Sequence, residues 1–431
     1  MEETINRTYT DSLTNLPNQI AFHDFLQQEI TSASLRKESV AILLIDFFQL
    51  RALTDAFGSH FCSGVLQKAG SRLIDLFQEP NIVACFPENS FAVMAPMTGV
   101  NGAIITAQQI IKLFETPLIV DEMPVALTVK IGISVFPEHQ ESAETLIQGA
   151  TAAMHTAANI EDDYYLYTPE DTKEAVYHIK LMGELPNAIA SGQIVMYYQP
   201  KVNMATGNIQ SVEALVRWVH PKHGFLLPET FIPYAEQSRC LQPITAWGIE
   251  ATARQIKEWK PLSMLISMNL SAQDIQRRSL ISQIAETIQR LGIPPHLLEI
   301  EITETAIITA YSMAQEVLYT LSEMGTSIWI DDFGVGYTSL KMLKNLPIRG
   351  IKLDKSLIHN LIKDKHDRFT VLALIDLAHH LELSVTAEGI ENKETTDLLV
   401  IGGCDMGQGA YFGMPMSAKE ITPILKHKFI I

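Results

Sequence analysis

Seven polar side chains in the second half of the chain, Glu213, Asn269, Glu301, Asp331, Asp332, Lys352 and Glu388, each stand at or just past the end of a short apolar run. Brought together, five carboxylates, one amide and one lysine would form an oxygen-rich cradle for a hard divalent cation such as Mg²⁺, Mn²⁺ or Ca²⁺. In QSVEALVRW the two-residue period of a strand places Glu213, Leu215 and Arg217 on one face, opposite Val212, Ala214 and Val216. The carboxylate there suits a metal and the guanidinium a phosphate oxygen, or the two form a salt bridge along an edge. Asp331 and Asp332 follow TSIWI and precede FGVGYTSL. Adjacent acids commonly cap helices, and two at one strand end can also bridge or separately ligate paired cations. Glu301 and Glu304 in EIEITE point in two directions, one as a ligand and one to tie down a loop. Asn269 in SMNLS offers a neutral carbonyl oxygen or is a buried turn residue. Lys352 in IKLD lies between apolar residues that face away from it, so it points into the mouth of the structure, where it needs an anion. Glu388 and Glu391 in AEGIEN add two more acids. Six or more carboxylates at one mouth would raise several pKa values unless cations neutralise them, which weighs against a set of independent salt bridges. The DFG triplet at 332–334 invites a kinase reading, but no HRD loop and no GxGxxG loop precede it.

The elements that must position these residues are eight apolar runs, at 195–200, 210–217, 264–270, 297–303, 326–332, 350–354, 384–389 and 409–412, with amphipathic stretches between most of them. Strands alternating with helices imply an α/β fold of the (β/α)8 barrel type, whose chemistry gathers at the carboxyl ends of the strands. The first half reads as α+β. It has a helix after DSLTNLPN (11–18), strands at 40–47, 82–86, 91–96 and 125–136, helices around 60–78, 103–115 and 143–158, and a hairpin turn at PEN (87–89). A polar, charged stretch near 168–178 marks the boundary, giving domains at 1–168 and 180–431 joined by a linker at 169–179.

At 431 residues the chain suits two domains, each large enough to bury a core. A formal charge of −17 argues against binding a nucleic-acid polymer, which needs a basic surface. Any phosphate must therefore be held locally, by a metal or a few arginines. Cys62, Cys85, Cys240 and Cys404 lie far apart without CxxC spacing and read as reduced core thiols of a cytoplasmic protein rather than a zinc site. No run of 18 or more apolar residues occurs, and MEETINRTYT lacks a basic segment followed by an apolar one, so neither a membrane span nor a signal peptide is expected.

The segments YYQP, EALVRW, MNLSAQ, EITET, DDFGVGYTSL, IKLD, AEGIE and GCDMGQGAYFGMP occur in an order that resembles the EAL domain, the bacterial phosphodiesterase of cyclic di-GMP, over about residues 180–425. The resemblance implies a modified barrel with an antiparallel first strand, and two-metal hydrolysis of cyclic di-GMP to linear pGpG. It implies two Mg²⁺ or Mn²⁺ ions per site, one held by Glu213, Asn269, Glu301 and Asp331, the other by Asp331, Asp332 and Glu388. Lys352 would orient or activate the attacking water, with Glu391 and Gln408 supporting it. Gln199, Leu215 and Arg217 would contact the nucleotide, and Glu304 would anchor the DDFG loop. A homodimer through this half is implied as well. Val335 and Thr338 depart from the family's usual Thr and Ser without removing a ligand.

The first half resembles a GGDEF domain, the cyclase that makes the same molecule, over about residues 8–168. The landmarks are DSLTNLPN, IDFFQLRALTDAFG, CFPENSF, VKIGISVFP and ATAAMHTAA. Its signature turn reads Pro87-Glu88-Asn89-Ser90-Phe91, where Pro and Glu add bulk in place of two glycines and Ser90 stands where the family has a metal-binding acid. Asp46 remains of that acid pair, Gln49 and Thr54 replace the usual Lys and Asn, and the product-inhibition motif becomes Gln78 to Asn81. The resemblance thus implies a cyclase-dead domain that could still bind GTP, dimerise or act as a spacer. Two functions remain open for the whole: hydrolysis, or a receptor that binds cyclic di-GMP without cleaving it and signals through the first half.

Overall fold

The computed structural model describes residues 9–48, 50–159, 162–236, 238, 240–309, 311–334 and 340–429. The chain divides into two compact units, residues 1–179 and 180–431.

In the first unit Val40–Phe47 (β1), Ile82–Phe86 (β2), Ser90–Pro96 (β3), Val129–Phe136 (β6) and Tyr164–Leu166 (β7) form one sheet in the order β2-β3-β1-β6-β7. Leu118–Val120 (β4) and Met123–Val125 (β5) make a separate hairpin. The near-continuous apolar run of β1 reflects a central strand covered on both faces. Ala41, Leu43 and Ile45 pack with Phe61, Val65 and Leu73 on one side, and Val40, Ile42 and Leu44 with Phe22, Leu26 and Ala150 on the other. The run expected as one strand over 125–136 is two, ending at Val125 and resuming at Val129. The helix expected from about 60 is the second part of Leu50–Leu76, which breaks at Gly58 with φ +83°. Cys62 is buried as expected, whereas Cys85 is only half-buried.

The second unit is a closed barrel. Its staves are Ile194–Asn203 (β8), Ile209–His220 (β9), Leu265–Leu270 (β11), Leu298–Thr303 (β12), Ser327–Phe333 (β13), Gly350–Leu353 (β14), Ser384–Ala387 (β15) and Met406–Gly407 (β16), with Gly224–Leu226 (β10) and Met416–Ser417 (β17) added at the rim. From β9 round to β16 neighbouring staves run parallel, and β8 is antiparallel to both β9 and β16. This is the α/β barrel with an inverted first strand that the resemblance implied. Outward-facing Val212, Ile266, Ile300, Ile328, Ile351 and Val385 pack under the surrounding helices in one continuous core.

The eighth stave corrects an expectation. GAYF at 409–412 was expected as a strand but forms a turn, and the strand is only Met406–Gly407. The cause is Gly409, at φ +156°, where any Cβ would run into the backbone of Ile390. The chain folds back there, with the N–H groups of Phe412 and Gly413 both donating to the Gly409 carbonyl at 3.1 Å. The segment 169–179 expected as linker lies within the helix Pro169–Ala190. Proline fits its first turn, where a backbone N–H has no partner in any helix. No described helix is long and apolar enough to cross a membrane.

Candidate active site

Strand register explains why the acids converge. Asn269 pairs across β11 and β12 with Glu301, Ser267 pairs with Glu213, and Thr303 pairs with Asp331, so the inward side chains of successive staves form rungs near the carboxyl end. Two consecutive aspartates would ordinarily face opposite ways. Here the β13–β14 register shifts between Ile330 and Phe333, and Asp332 takes φ +53°, a conformation that costs a non-glycine residue on the order of 1 kcal/mol or more. That irregularity turns both acids to the mouth. The N–H of Asp332 donates to Asp331 Oδ1 at 3.0 Å, and Gly334, at φ +103°, donates its N–H to Glu304 Oε2 at 3.1 Å. Val335 and Thr338 lie outside the described residues.

Lys352 is fully buried at the centre. Its Nζ lies 3.2 Å from Glu213 Oε2, 2.7 Å from Glu301 Oε2, 3.0 Å from Asp331 Oδ1 and 2.6 Å from Glu388 Oε1. Glu213 also accepts from Asn269 Nδ2 at 2.6 Å and from Gln408 Nε2 at 2.7 Å. Gln408 Nε2 contacts Gln199 Oε1 at 3.0 Å, and Gln199 donates to the Gly413 carbonyl. Carboxylate oxygens of Glu213, Glu301 and Asp331 come within 4.8 Å of one another, and so do those of Asp331, Asp332 and Glu388. Asp331 belongs to both groups.

Charge shows what this arrangement lacks. Glu213, Glu299, Glu301, Asp331, Asp332 and Glu388 share the network with two ammonium groups, Lys201 and Lys352, and Asp354 lies against Asp332. Fully ionised, the acids outnumber the ammonium groups, an excess of negative charge that divalent cations would offset. Buried Gln408 Oε1 has no hydrogen-bond partner. The donor set therefore fits hard divalent cations.

The titration behaviour agrees. Burial pushes Asp331 well above the ordinary carboxylate range, although Lys352 pulls it down, and burial likewise raises Asp332. Glu388 rises to about 7, again chiefly through burial. Glu301 moves the other way: burial favours its neutral form, but Lys201 and Lys352 outweigh that and hold it at about 2. Burial tends to discharge Lys352, yet Asp331, Glu213, Glu301 and Glu388 raise it well above its usual value. Desolvation thus matters more to the raised acids than the mutual repulsion expected from sequence.

The remaining expected residues are placed as follows. Leu215 lines a mainly apolar cavity of about 510 Å³ that reaches Asn269, Asp331 and Asp332. Arg217 is buried and donates to the Val216 carbonyl at 2.8 Å; Glu213 pairs with Lys352, and no ion pair joins it to Arg217. Burial lowers the Arg217 pKa. Glu391 is exposed and belongs to neither acid group. Glu304 is buried and braces Gly334.

Two residues of the network escaped the sequence reading. Lys201 Nζ lies 3.0 Å from Ser267 Oγ, 3.0 Å from Glu299 Oε2 and 2.9 Å from Glu301 Oε1. The signal was present: the strand period puts Gln199 with Lys201, and Glu299 with Glu301, on one face. Glu299 stands inside an apolar run, and Lys201 directly follows one at 195–200.

In the first unit the 87–91 segment is a short turn, Pro87–Asn89, between β2 and β3, with Asn89 at φ +66°. Ser90 Oγ donates to the Pro87 carbonyl at 2.8 Å. Thr54 Oγ1 is turned back to the Leu50 carbonyl at 2.8 Å, and the N–H and Nδ2 of Asn81 both donate to the Gln78 carbonyl at 3.1 Å. Gln49 lies outside the described residues.

Comparison with known proteins agrees with this fold. The EAL domain model matches residues 182–415, and the diguanylate cyclase, GGDEF domain model matches residues 8–163. The chain belongs to the EAL domain family, with a GGDEF domain in tandem before it. It is similar to the cyclic di-GMP phosphodiesterase NbdA of Pseudomonas aeruginosa, 28% identical over 420 residues that cover 96% of this chain and 54% of that protein. It is also similar to the cyclic di-GMP phosphodiesterase PdeR of Escherichia coli, 30% identical over 412 residues covering 95% of this chain and 62% of that protein. The chain thus spans a little over half the length of these relatives. Among solved structures, the PaMucR phosphodiesterase in its c-di-GMP complex is 35% identical, with a TM-score of 0.55, covering 56% of this chain and 99% of that one. The Vibrio cholerae LapD S helix-GGDEF-EAL structure, 17% identical with a TM-score of 0.65, covers 95% of this chain and 97% of that one and shares the fold.

Proposed function

We propose that the chain is a cyclic di-GMP phosphodiesterase that opens one phosphodiester of its substrate to give linear pGpG. The observation that carries this reading is the pair of carboxylate groups sharing Asp331, with more negative than positive charge gathered around them. Glu213, Asn269, Glu301 and Asp331 would hold one Mg²⁺ or Mn²⁺, and Asp331, Asp332 and Glu388 the other. When bound, such ions supply a water of lowered pKa and relief of charge on the leaving oxygen.

The protein's own groups do the rest. Lys352, ringed by four carboxylates, orients or activates the attacking water. Gln408, bonded to Glu213, and Glu391, at the rim, support that water. Gln199 and Arg217 hold the nucleotide, the guanidinium offsetting phosphate charge that an acidic protein would repel. The apolar cavity beside Leu215 receives a purine base. Relatives named as cyclic di-GMP phosphodiesterases, and a relative solved with c-di-GMP, support this substrate.

The first half has a regulatory or structural role in this reading, with GTP as its candidate ligand and no cyclase activity. Its turn at 87–91 presents Pro and Ser where the cyclase family has glycine and acid. The EAL half forms the homodimer. The four free cysteines fit a reducing compartment, the cytoplasm. Incubating the protein with cyclic di-GMP and Mg²⁺ or Mn²⁺ tests the reading: pGpG is expected. Retained cyclic di-GMP that is bound but uncut would instead identify a receptor.

A further inference from the structure

We propose that Lys201 is a positioning residue for Glu301, acting from the layer of the barrel interior beneath the mouth. The inference rests on the metal-dependent reading of the site given above.

On β8 the inward residues Gln199 and Lys201 occupy two successive levels, paired with Glu213 and Ser211 of β9. In most barrels of this kind the levels below the mouth are filled by branched apolar side chains. Here the lower level holds Lys201, Ser211, Ser267 and Glu299, all buried. An ammonium removed from water costs several kcal/mol unless its protons are satisfied. Lys201 satisfies all three, on Ser267, Glu299 and Glu301, and its Nζ also lies 5.7 Å from the Trp329 ring centre.

The consequence falls on Glu301. Its Oε1 is held from below by Lys201 at 2.9 Å, while its Oε2 faces Lys352 at 2.7 Å. A carboxylate restrained at one oxygen offers the other at a fixed place, so Glu301 presents a single oxygen to a cation at the mouth.

A second observation makes the idea testable from the opposite side. At the amino ends of the parallel staves a polar cavity of about 530 Å³ is lined by Lys201, Glu299, Trp329, Arg349, Thr386 and Asp405. Trp329 Nε1 and Thr386 Oγ1 are buried and have no hydrogen-bond partner. The cavity gives a small solute a route to the place of Lys201 that does not pass the mouth.

The test uses the full chain with Lys201→Ala. Mn²⁺ affinity is read by electron paramagnetic resonance, cyclic di-GMP turnover by chromatography and folding by thermal melting, each with and without methylammonium. Weaker Mn²⁺ binding, about tenfold or more, is expected, with recovery of affinity and turnover by methylammonium and none by tetramethylammonium, which lacks N–H donors. If the single variant does not fold, Lys201→Ala/Glu299→Gln, which removes one buried negative charge, carries the same measurements. A folded variant with wild-type Mn²⁺ affinity overturns the proposal, as does a loss of affinity that methylammonium leaves untouched. Wild-type protein that neither binds Mn²⁺ nor cleaves the substrate would overturn the metal-dependent reading itself.

Discussion

Asp331 is the acid common to both carboxylate groups, and it sits next to Lys352, Glu388 and Glu213 in a pocket that water barely reaches. Removing it deprives both proposed cations of a ligand. Asp331→Ala or Glu213→Ala is expected to cut turnover by about a hundredfold or more in a steady-state assay. Wild-type rates in either variant would remove these residues from the mechanism. The titration of Glu388 makes a separate prediction. Its pKa of about 7 lies above the ordinary 4.5 of a glutamate, so between those values the metal-free fold holds a proton that the unfolded chain has lost. That carboxyl's contribution to stability is therefore full below pH 4.5 and fades as pH rises through 7. Cations require the ionised form and must displace the proton. The rise in Tm on adding Mg²⁺ or Mn²⁺ should then be larger at about pH 8 than at about pH 6. An equal rise at both would show that Glu388 does not ligate.

At the scale of elements, the end of β13 couples ligand geometry to backbone strain. Gly334 follows Asp332 at φ +103°, and a Cβ there would lie 2.6 Å from Leu357 Cδ1. Gly334→Ala is expected to destabilise the second unit by about 1–3 kcal/mol in urea unfolding, and an unchanged midpoint would refute the strain. Glu304 holds the same segment by its bond to the Gly334 N–H. Glu304→Ala should raise the Mg²⁺ concentration needed for half-maximal activity while the melting curve stays cooperative; full activity at limiting Mg²⁺ would show that the brace is idle. Elements of this kind were legible in the sequence where an apolar run ends on a polar residue, which is why Glu213, Asn269, Glu301 and Lys352 could be placed on staves. The eighth stave was not legible, because Met406–Gly407 is too short to show a period and the aromatic GAYF beside it imitates a strand. Lys201 and Glu299 were missed because a charge beside or inside an apolar run looks like the solvent face of a half-exposed strand. Only barrel closure turns that face inward.

For the whole molecule, the two units carry opposite expectations. The first unit has the sheet of its family, and Ser90 bonds back to its own turn and Thr54 to its own helix. No cyclic di-GMP should form from GTP and Mg²⁺, and restoring GGDEF at 87–91 alone should not rescue synthesis, since Gln49, Thr54 and the altered 78–81 segment remain. The central claim concerns the second unit, and one assay reaches it directly. Purified protein is incubated with cyclic di-GMP and Mg²⁺, with Mg²⁺ removed by a chelator, and as Asp331→Ala, and the products are separated by chromatography. The expected result is pGpG in the first sample alone. Cyclic di-GMP that is bound but intact with both Mg²⁺ and Mn²⁺, or cleavage that survives chelation, would contradict it.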